Sequence, residues 1–373
     1  MQTEYFQSKS LTRDYHSLCN NRLKILDVMV SRRTWRRYCE LALDGDTLAQ
    51  IDTMIKRFLF LRGCSENSLI LVADKKQLPE LFQRAYKGVR GKINPWLRNS
   101  GAAAFMALVI DRDSRHEDRP ISYAFPAMSA QDTILFLMEQ GLGSSWLAGV
   151  NGDELTIALG LSSDKWVPAI IVFGKTEIGP SGFNIDNLMY KFLSRKRKIL
   201  QKIISWDYYG KTFNIPDNLS DRLKIVSLLN VQTCLDSFSG LDEDIPVREI
   251  NQIEWELMGE AARIAPSSGN RQLWRFIFIN NKSLLAEIAD ILNEKQTFCG
   301  IIAGLGVCGT FIEKGFEIPF WMIDLPIAFS HITIMAGALN FTGKVYLDIP
   351  EKRINSLLKV ESNWRTVGLI GLR

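Results

Sequence analysis

The chain has few of the residues that build metal and thiol chemistry. Its 373 residues include three histidines, His16, His116 and His331, which lie at least one hundred residues apart in the sequence. The six cysteines are scattered and form no Cys-x-x-Cys pair. This pattern argues against a histidine-based metal site and predicts reduced, mostly structural thiols.

Long apolar runs and a strong net charge are also absent. The best apolar run, residues 102–110, is too short to span a bilayer and predicts a buried strand. A net charge of +4 indicates neither a nucleic acid nor another polyanion as partner. The first sixteen residues contain no apolar core, so we expect no signal peptide and no membrane association, and a cytoplasmic location. The 46% hydrophobic and 23% charged composition is typical of a globular protein long enough for two domains.

What the chain does contain is an internal repeat. Residues 121–175 and 321–372 each show a proline, an amphipathic helix, a glycine turn, a short helix, a tryptophan and a buried strand. Pro126 and Pro326 lie 200 residues apart, and the two tryptophans, Trp166 and Trp364, lie 198 apart. Because a solenoid would repeat at a far shorter period, the common offset predicts two copies of one unit.

The repeat predicts an α+β fold in two units. We place the first unit and a linker helix in residues 1–205, and the second unit in residues 206–373. Each unit is expected to be a mostly antiparallel sheet with helices, and the two should meet across a large apolar pseudo-twofold interface.

A short stretch between a predicted helix and a predicted strand draws attention to a ligand. Residues 263–276 read RIAPSSGNRQLWRF. The preceding segment has the apolar period of a helix, and the following one alternates like a half-buried strand that ends at Asn280. Small polar residues with free backbone amides are typical of a plain turn, and equally of a cradle for an anionic or heteroaromatic ligand.

Two motifs in the chain resemble those of the nitroreductase family. The stretch APSSGNRQLWRFIFI resembles the family's FMN-embracing signature, with Leu273 where proline is usual. The element SRRTWRRY, residues 31–38, resembles the family's N-terminal arginine-rich element, but it lies more than two hundred residues upstream. Residues 61–72 lack the proline and serine element, and residues 235–241 lack the arginines. Each half therefore keeps the motif that the other has lost.

This complementary loss resembles a fused dimer with one complete FMN site. Family members are normally homodimers in which each site takes one motif from each subunit. By resemblance Arg32, Thr34 and the adjacent Arg33 would bind the FMN phosphate, and Arg36 would lie near the N1 and O2 edge of the flavin. The turn at Ala148 and Gly149 would aim a backbone N–H at flavin N5. The opposite half would hold the pyrimidine side and the ribityl chain through Pro266, Ser267, Ser268 and Asn270.

The resemblance implies an FMN-dependent oxidoreductase. NAD(P)H would reduce the flavin, and a small nitro, quinone or other unsaturated substrate would reoxidise it; dehydrogenation of a substrate is equally allowed. Two alternatives stay open: an FMN-binding protein with little turnover, like tandem Acg-type members of the superfamily, and a degenerate scaffold. Since the dimer interface would be internal, we expect a monomer.

Two further motifs have competing interpretations. The basic run at residues 195–198 is most simply a solvated helix face, although one of its residues, or Lys175, could reach the FMN phosphate. The segment GLGVCG at 304–309 matches a dinucleotide-binding glycine pattern, and Asp324 lies 20 residues from Gly304. Gly315 and Pro319 leave no room for the required helix and strand, so a Rossmann unit is disfavoured.

Overall fold

The computed structural model of the chain describes residues 25, 28–29, 32–87, 100–112, 121–176, 197–213, 230–239, 248–307 and 321–373. Helices in these ranges are α1 (Gly45–Leu61), α2 (Leu78–Ala85), α3 (Ile121–Glu139), α4 (Gly152–Ala158), α5 (Leu200–Ile203), α6 (Val231–Ser239), α7 (Gln252–Ile264), α8 (Lys282–Leu292), α9 (Trp321–Ala338) and α10 (Glu351–Leu357). The strands are β1 (Leu69–Val72), β2 (Ala104–Asp111), β3 (Gly143–Leu147), β4 (Lys165–Gly174), β5 (Ile204–Trp206), β6 (Trp274–Ile279), β7 (Gly300–Val307), β8 (Gly343–Tyr346) and β9 (Trp364–Leu372).

The two halves of the chain build sheets of the same topology. The first sheet has the order β1-β2-β4-β3, and every pairing in it is antiparallel. The second has the order β5-β6-β7-β9-β8, in which β6 to β9 repeat the antiparallel order of the first sheet. The predicted α+β fold with two repeated units is confirmed.

Strand β5 joins the two units. It follows the first unit in the chain, yet it pairs in parallel with β6 of the second sheet, with Ile204 opposite Phe276. The division that we predict between residues 205 and 206 falls inside this strand. Because β5 follows the first unit in the chain but pairs with the sheet of the second, it connects the first unit to the edge of the second sheet.

Polar caps begin several of the helices. Asn251 and Glu254 form a reciprocal capping box at the start of α7, with each side chain accepting from the other residue's backbone N–H. Asp44, Asn151 and Asn281 cap α1, α4 and α8 in the same sense, each accepting a backbone N–H from the first turn. The ends of these helices are therefore set by the local sequence.

Helices α3 and α9 pack against each other at the centre of the molecule. The predicted amphipathic character of both is wrong, because α9 is buried at every position from Met322 to Leu339 and α3 is buried almost throughout. Each of these helices has a sheet on one side and the opposite unit on the other. Apolar side chains from both units form one continuous core, so the sequence shows no solvent-facing stripe.

The strand after the proline and serine stretch is also buried on both faces. Phe276 and Phe278 of β6 pack into the central core, and Ile277 and Ile279 pack into a second cluster under α8 and α10. The half-buried strand that the alternation predicts is therefore wrong in burial but right in position. Residues 102–110 do contain the predicted buried strand, β2.

The GLGVCG segment has a packing explanation. Gly304 lies inside β7, paired with Gly368 of β9, and not in a turn between a strand and a helix. A Cβ atom at Gly304 would stand 2.4 Å from the ring of Phe329 in α9. The glycine therefore permits close packing of α9 on the sheet. The described part of the segment, Gly304 to Val307, is a strand and not the turn of a Rossmann unit, so the Rossmann hypothesis is wrong for these residues.

No helix among the described residues is long and apolar enough to cross a membrane.

Candidate active site at the junction of the two units

A cavity of about 200 Å³ lies between the two units. Four separate parts of the chain line it: the arginine-rich arm after residue 31, the end of β3, the turn after α7 and the start of α9. The lining residues are Thr34, Arg36, Ser145, Trp146, Leu147, Ala148, Pro266, Ser267, Ser268, Gly269, Ile323, Asp324 and Ile327. Six of the ten predicted site residues are among them. The other four are Arg32, Arg33, Gly149 and Asn270, each within two residues of a lining residue.

The arginine-rich arm is held by β3 of its own unit. Thr34 forms a parallel bridge with Ser144, and the backbone N–H of Trp35 donates to Ser144 O at 3.0 Å. The indole of Trp35 is buried beside Gly143, where a Cβ atom would stand 2.7 Å from the ring. The guanidinium of Arg33 lies over that ring at 3.9 Å. This anchoring presents Thr34 and Arg36 to the cavity.

The turn after α7 contributes the facing wall of the cavity. It contains a short 3-10 turn, Ser268–Asn270, in which Gly269 has φ +57° and Asn270 φ +55°; Gln272 follows with φ +50°. Left-handed backbone costs little at glycine and asparagine and more at glutamine, so the turn needs support from its surroundings. Part of that support is internal, since Ser267 Oγ accepts the backbone N–H of Gln272 at 3.1 Å.

The linker also supports this turn. Arg197 donates to the carbonyls of Arg263 and Ala265, both at 2.7 Å, and Lys198 Nζ donates to Gln272 O at 2.6 Å. Arg197 and Lys198 are partly buried, so the prediction that the basic run is a solvated helix face is wrong at these two positions. Residues 195 and 196 lie outside the described part of the chain, and Lys175 is exposed and does not line the cavity.

Asp324 is a cavity residue that the motif comparison missed. It lies in the first turn of α9 with 2% of its surface exposed. Its carboxylate accepts the backbone N–H of Ser268 at 3.0 and 3.1 Å and the Ser268 hydroxyl at 3.2 Å. Burial raises the pKa of Asp324 to about 7, and the hydrogen bonds from Ser268 act in the opposite direction. The signal in the sequence was a single acidic residue inside the otherwise apolar WMIDLPIAF.

A chain of hydrogen bonds across the two units fixes one wall of the cavity. Trp146 Nε1 donates to Gln131 Oε1 at 2.9 Å, and Gln131 Nε2 lies 3.0 Å from His331 Nε2. His331 Nδ1 lies 3.1 Å from the carbonyl of Ala261, which can only accept, so Nδ1 carries the proton and Nε2 accepts from Gln131.

The pKa of His331 is affected by positive charges near the cavity. Burial, followed by the charges of Arg32 and Arg197, lowers the pKa of His331 to about 3. The imidazole is therefore neutral, as its hydrogen-bonding pattern requires. Arg32 belongs to the first unit and Arg197 to the linker, so cations from two parts of the chain converge here.

The equivalent place in the other half is built differently. Arg62 follows α1 as Ala265 follows α7, but its guanidinium turns inward and binds Asp132 at 3.1 and 3.3 Å and Thr333 at 2.8 Å. The position 200 residues before Asp324 is Ala124, which is fully buried. A buried ion pair thus stands at the helix end that corresponds to the start of the turn in the second unit.

Comparison with known proteins shows a family similarity in one of the segments that line this cavity. The model of the nitroreductase family matches residues 242–300, which include α7, the Pro266–Asn270 turn and β6. That segment is therefore similar to the nitroreductase family. A candidate NADH dehydrogenase/NAD(P)H nitroreductase of Archaeoglobus fulgidus is 28% identical over 112 residues, 30% of this chain. The match covers 64% of that relative's length.

Solved structures with similarity to the chain carry related descriptions. An FMN-dependent nitroreductase from Clostridium difficile is 22% identical, covers 44% of this chain and 95% of its own, and has a TM-score of 0.33. A candidate nitroreductase from Thermotoga maritima is 16% identical, covers 87% of this chain and 90% of its own, and has a TM-score of 0.42. The similarity of the chain to the nitroreductase family rests on the two sequence matches.

Proposed function

We propose that the chain binds one FMN in the cavity between its two units and catalyses a two-electron oxidoreduction. NAD(P)H would be the electron donor, and the acceptor would be a small nitro, quinone or other unsaturated molecule. The observation that carries the proposal is the composition of the cavity. Thr34 and Arg36 come from one unit and Pro266 to Gly269 from the other, more than two hundred residues away.

The polar groups around the cavity suit such a cofactor. Ser145 Oγ is buried and has no hydrogen-bond partner among the described residues. Because buried polar atoms are almost always hydrogen bonded, an unpartnered hydroxyl in a cavity wall supports a polar ligand there. Arg36 supplies a cation at the same cavity, and Arg32 and Arg197 supply a positive field nearby. A dianionic phosphate requires such charge-assisted donors.

Each group in the site would have a binding or positioning role. Arg32 and Thr34, with Arg33 beside them, would hold the phosphate, and Arg36 would stabilise negative charge at the flavin's pyrimidine edge. The backbone at Ala148 and Gly149 would donate to the redox-active edge. The Pro266–Asn270 turn would contact the pyrimidine side and the ribityl chain. When bound, FMN supplies the redox chemistry, so the scarcity of histidine in this chain is no obstacle.

A second candidate function is FMN binding with little turnover. The cavity of about 200 Å³ is smaller than the roughly 300–1,000 Å³ typical of small-molecule sites. This volume is small even for FMN alone, so the described residues provide no further space for a substrate beside it. Addition of NADPH to the flavin-loaded protein distinguishes the two functions. Bleaching of the flavin followed by recovery with a quinone supports the oxidoreductase, and an unchanged spectrum supports storage.

Substitutions on both sides of the cavity test the shared site. Arg36→Ala removes a charge-assisted interaction of about 1.5–3 kcal/mol, so we expect the FMN dissociation constant to rise about tenfold to a hundredfold. Asn270→Gly removes the side chain but keeps the left-handed backbone, and we expect a rise of about twofold to tenfold. Flavin fluorescence titration measures both dissociation constants.

The chain offers matched controls for both variants. Arg37→Ala changes the exposed arginine next to Arg36, and Asn293→Gly changes an exposed asparagine of the same φ outside the cavity. Cys64→Ala, in the first unit's altered turn, should also leave FMN affinity unchanged. Two FMN per chain, or wild-type affinity in both Arg36→Ala and Asn270→Gly, would contradict the proposal. Sedimentation of the loaded protein should give a monomer.

A further inference from the structure

Asp324 lies outside the family motifs. It contacts the Ser268–Asn270 turn, which is the turn that the second unit contributes to the cavity. The Ser268–Asn270 turn combines two left-handed residues, and Gln272 adds a third just beyond it. Strained backbone of this kind persists only where surrounding contacts determine it. The linker holds the far end of the turn through Gln272, and Asp324 is the partner of its near end through Ser268.

The geometry at Ser268 is specific. Both carboxylate oxygens of Asp324 lie 3.0–3.1 Å from the backbone nitrogen, and Oδ1 also accepts the hydroxyl at 3.2 Å. Hydrogen bonds to a charged acceptor are stronger than those between neutral groups, so this contact is strongest when Asp324 is ionised. The aspartate is on a helix that is buried along its whole described length, so its own position is fixed by packing. A rigid helix therefore holds the start of the strained turn.

We infer that Asp324 is a positioning residue for the cofactor: its carboxylate holds the Ser267–Asn270 turn in the conformation that receives FMN. This inference rests on the proposed function. It assigns Asp324 no contact with the flavin. The inference also explains why an acidic residue lines a cavity that we propose for an anionic ligand. The carboxylate of Asp324 accepts its hydrogen bonds from Ser268, and the arginines lie on other elements.

Three substitutions at this position separate positioning from bulk. Asp324→Ala and Asp324→Leu both remove the acceptor, and leucine keeps most of the volume beside Ile323 and Ile327. We expect either variant to weaken FMN binding about tenfold. Asp324→Asn keeps an amide oxygen for the Ser268 N–H and supplies an N–H to its hydroxyl. We expect it to restore affinity to within about threefold of wild type. Asp348→Asn, at an exposed aspartate of the same unit, is the control.

Hydrogen exchange in the flavin-free protein gives a readout that does not depend on FMN. The Ser268 amide should exchange slowly in the wild type and in Asp324→Asn, and fast in Asp324→Leu, while amides of β6 stay protected in all three. If the wild type binds no FMN but shows this pattern, the proposed function fails, whereas the part of the inference by which Asp324 holds the turn stands. Wild-type FMN affinity in both Asp324→Ala and Asp324→Leu, or equally fast exchange in Asp324→Asn and Asp324→Leu, would overturn the inference.

Discussion

At the scale of single residues, two buried carboxyl groups in the second unit differ in what surrounds them. Asp324 accepts hydrogen bonds from Ser268, whereas neither oxygen of Glu256 has a partner among the described residues. Glu256 lies in α7 with 1% of its surface exposed. Burial, and then the charge of Glu260 one turn away, raises the pKa of Glu256 to about 8. The protonated form is therefore the one that the fold accommodates.

This pKa makes a prediction about stability and pH. Because the pKa of Glu256 is higher in the folded chain than in the unfolded one, the native state binds more protons between about pH 4.5 and 8. The contribution of Glu256 is therefore most favourable at low pH and is lost as the pH rises through 8. We expect Glu256→Gln to unfold with a similar free energy at pH 5 and to be more stable than wild type by about 1–3 kcal/mol at pH 9.

Urea denaturation at the two pH values measures this difference. Glu287→Gln, at an exposed position of α8, should change the free energy of unfolding equally little at both. A Glu256→Gln variant that is less stable than wild type at pH 9 would show that the carboxylate has a stabilising partner.

At the scale of elements, the two central helices carry the polar contacts that join the units. Gln131 of α3 and His331 of α9 are fully buried, and together they hold the indole of Trp146 at the end of β3. A glutamine can serve both partners because it has an acceptor and a donor at its tip. The repeat in the sequence predicted the two helices, but not that polar residues on them would meet.

A shape-conserving substitution tests this chain of hydrogen bonds. Gln131→Met keeps the length of the side chain and leaves His331 Nε2 without a donor and Trp146 Nε1 without an acceptor. We expect a loss of about 1–3 kcal/mol in the free energy of unfolding, since each buried polar atom without a partner is costly. Gln140→Met, at the exposed residue just after the same helix, should cost less than about 0.5 kcal/mol. Equal stabilities of the two variants in urea would contradict the role of Gln131.

At the scale of the whole molecule, the interface between the units is less apolar than we expected. Arg62 and Asp132 pair with 4% and 0% of their side chains exposed, and Ser330 and Thr333 of the other unit complete the cluster. Burial raises the pKa of Asp132, and Arg62 acts against that rise. Such a pair need not add net stability, but removal of one partner leaves a buried charge.

Single and double substitutions of this pair give a clear expectation. Asp132→Leu should lower the free energy of unfolding by about 3–5 kcal/mol because it leaves the Arg62 guanidinium buried and unpaired. The double variant Arg62→Met/Asp132→Leu should recover most of that loss. Asp236→Ala, which breaks the exposed pair of Arg57 and Asp236 between the same units, should cost about 1 kcal/mol or less. Additive effects in the double variant would contradict a direct interaction.

Local sequence predicted several of the elements and six of the residues that line the cavity. Apolar periodicity predicted α7 and the position of β6, and the offset of 200 residues predicted the repeat, because both depend on spacing along the chain. The two motifs identified Thr34, Arg36 and Pro266 to Ser268, and the resemblance added Ala148; all of these residues line one cavity. Their joint role as an FMN site stays a prediction.

Only the tertiary structure decided which helices, strands and turns contact each other. Burial of α3 and α9 on all sides, the transfer of β5 to the other unit's sheet, and the contact of Asp324 with Ser268 all join residues far apart in sequence. Spacing along a chain sets which residues share a face of one element, but it holds no information on which elements pack together. The aspartate was therefore visible in the sequence, while its partner became visible only when α9 was packed against the turn.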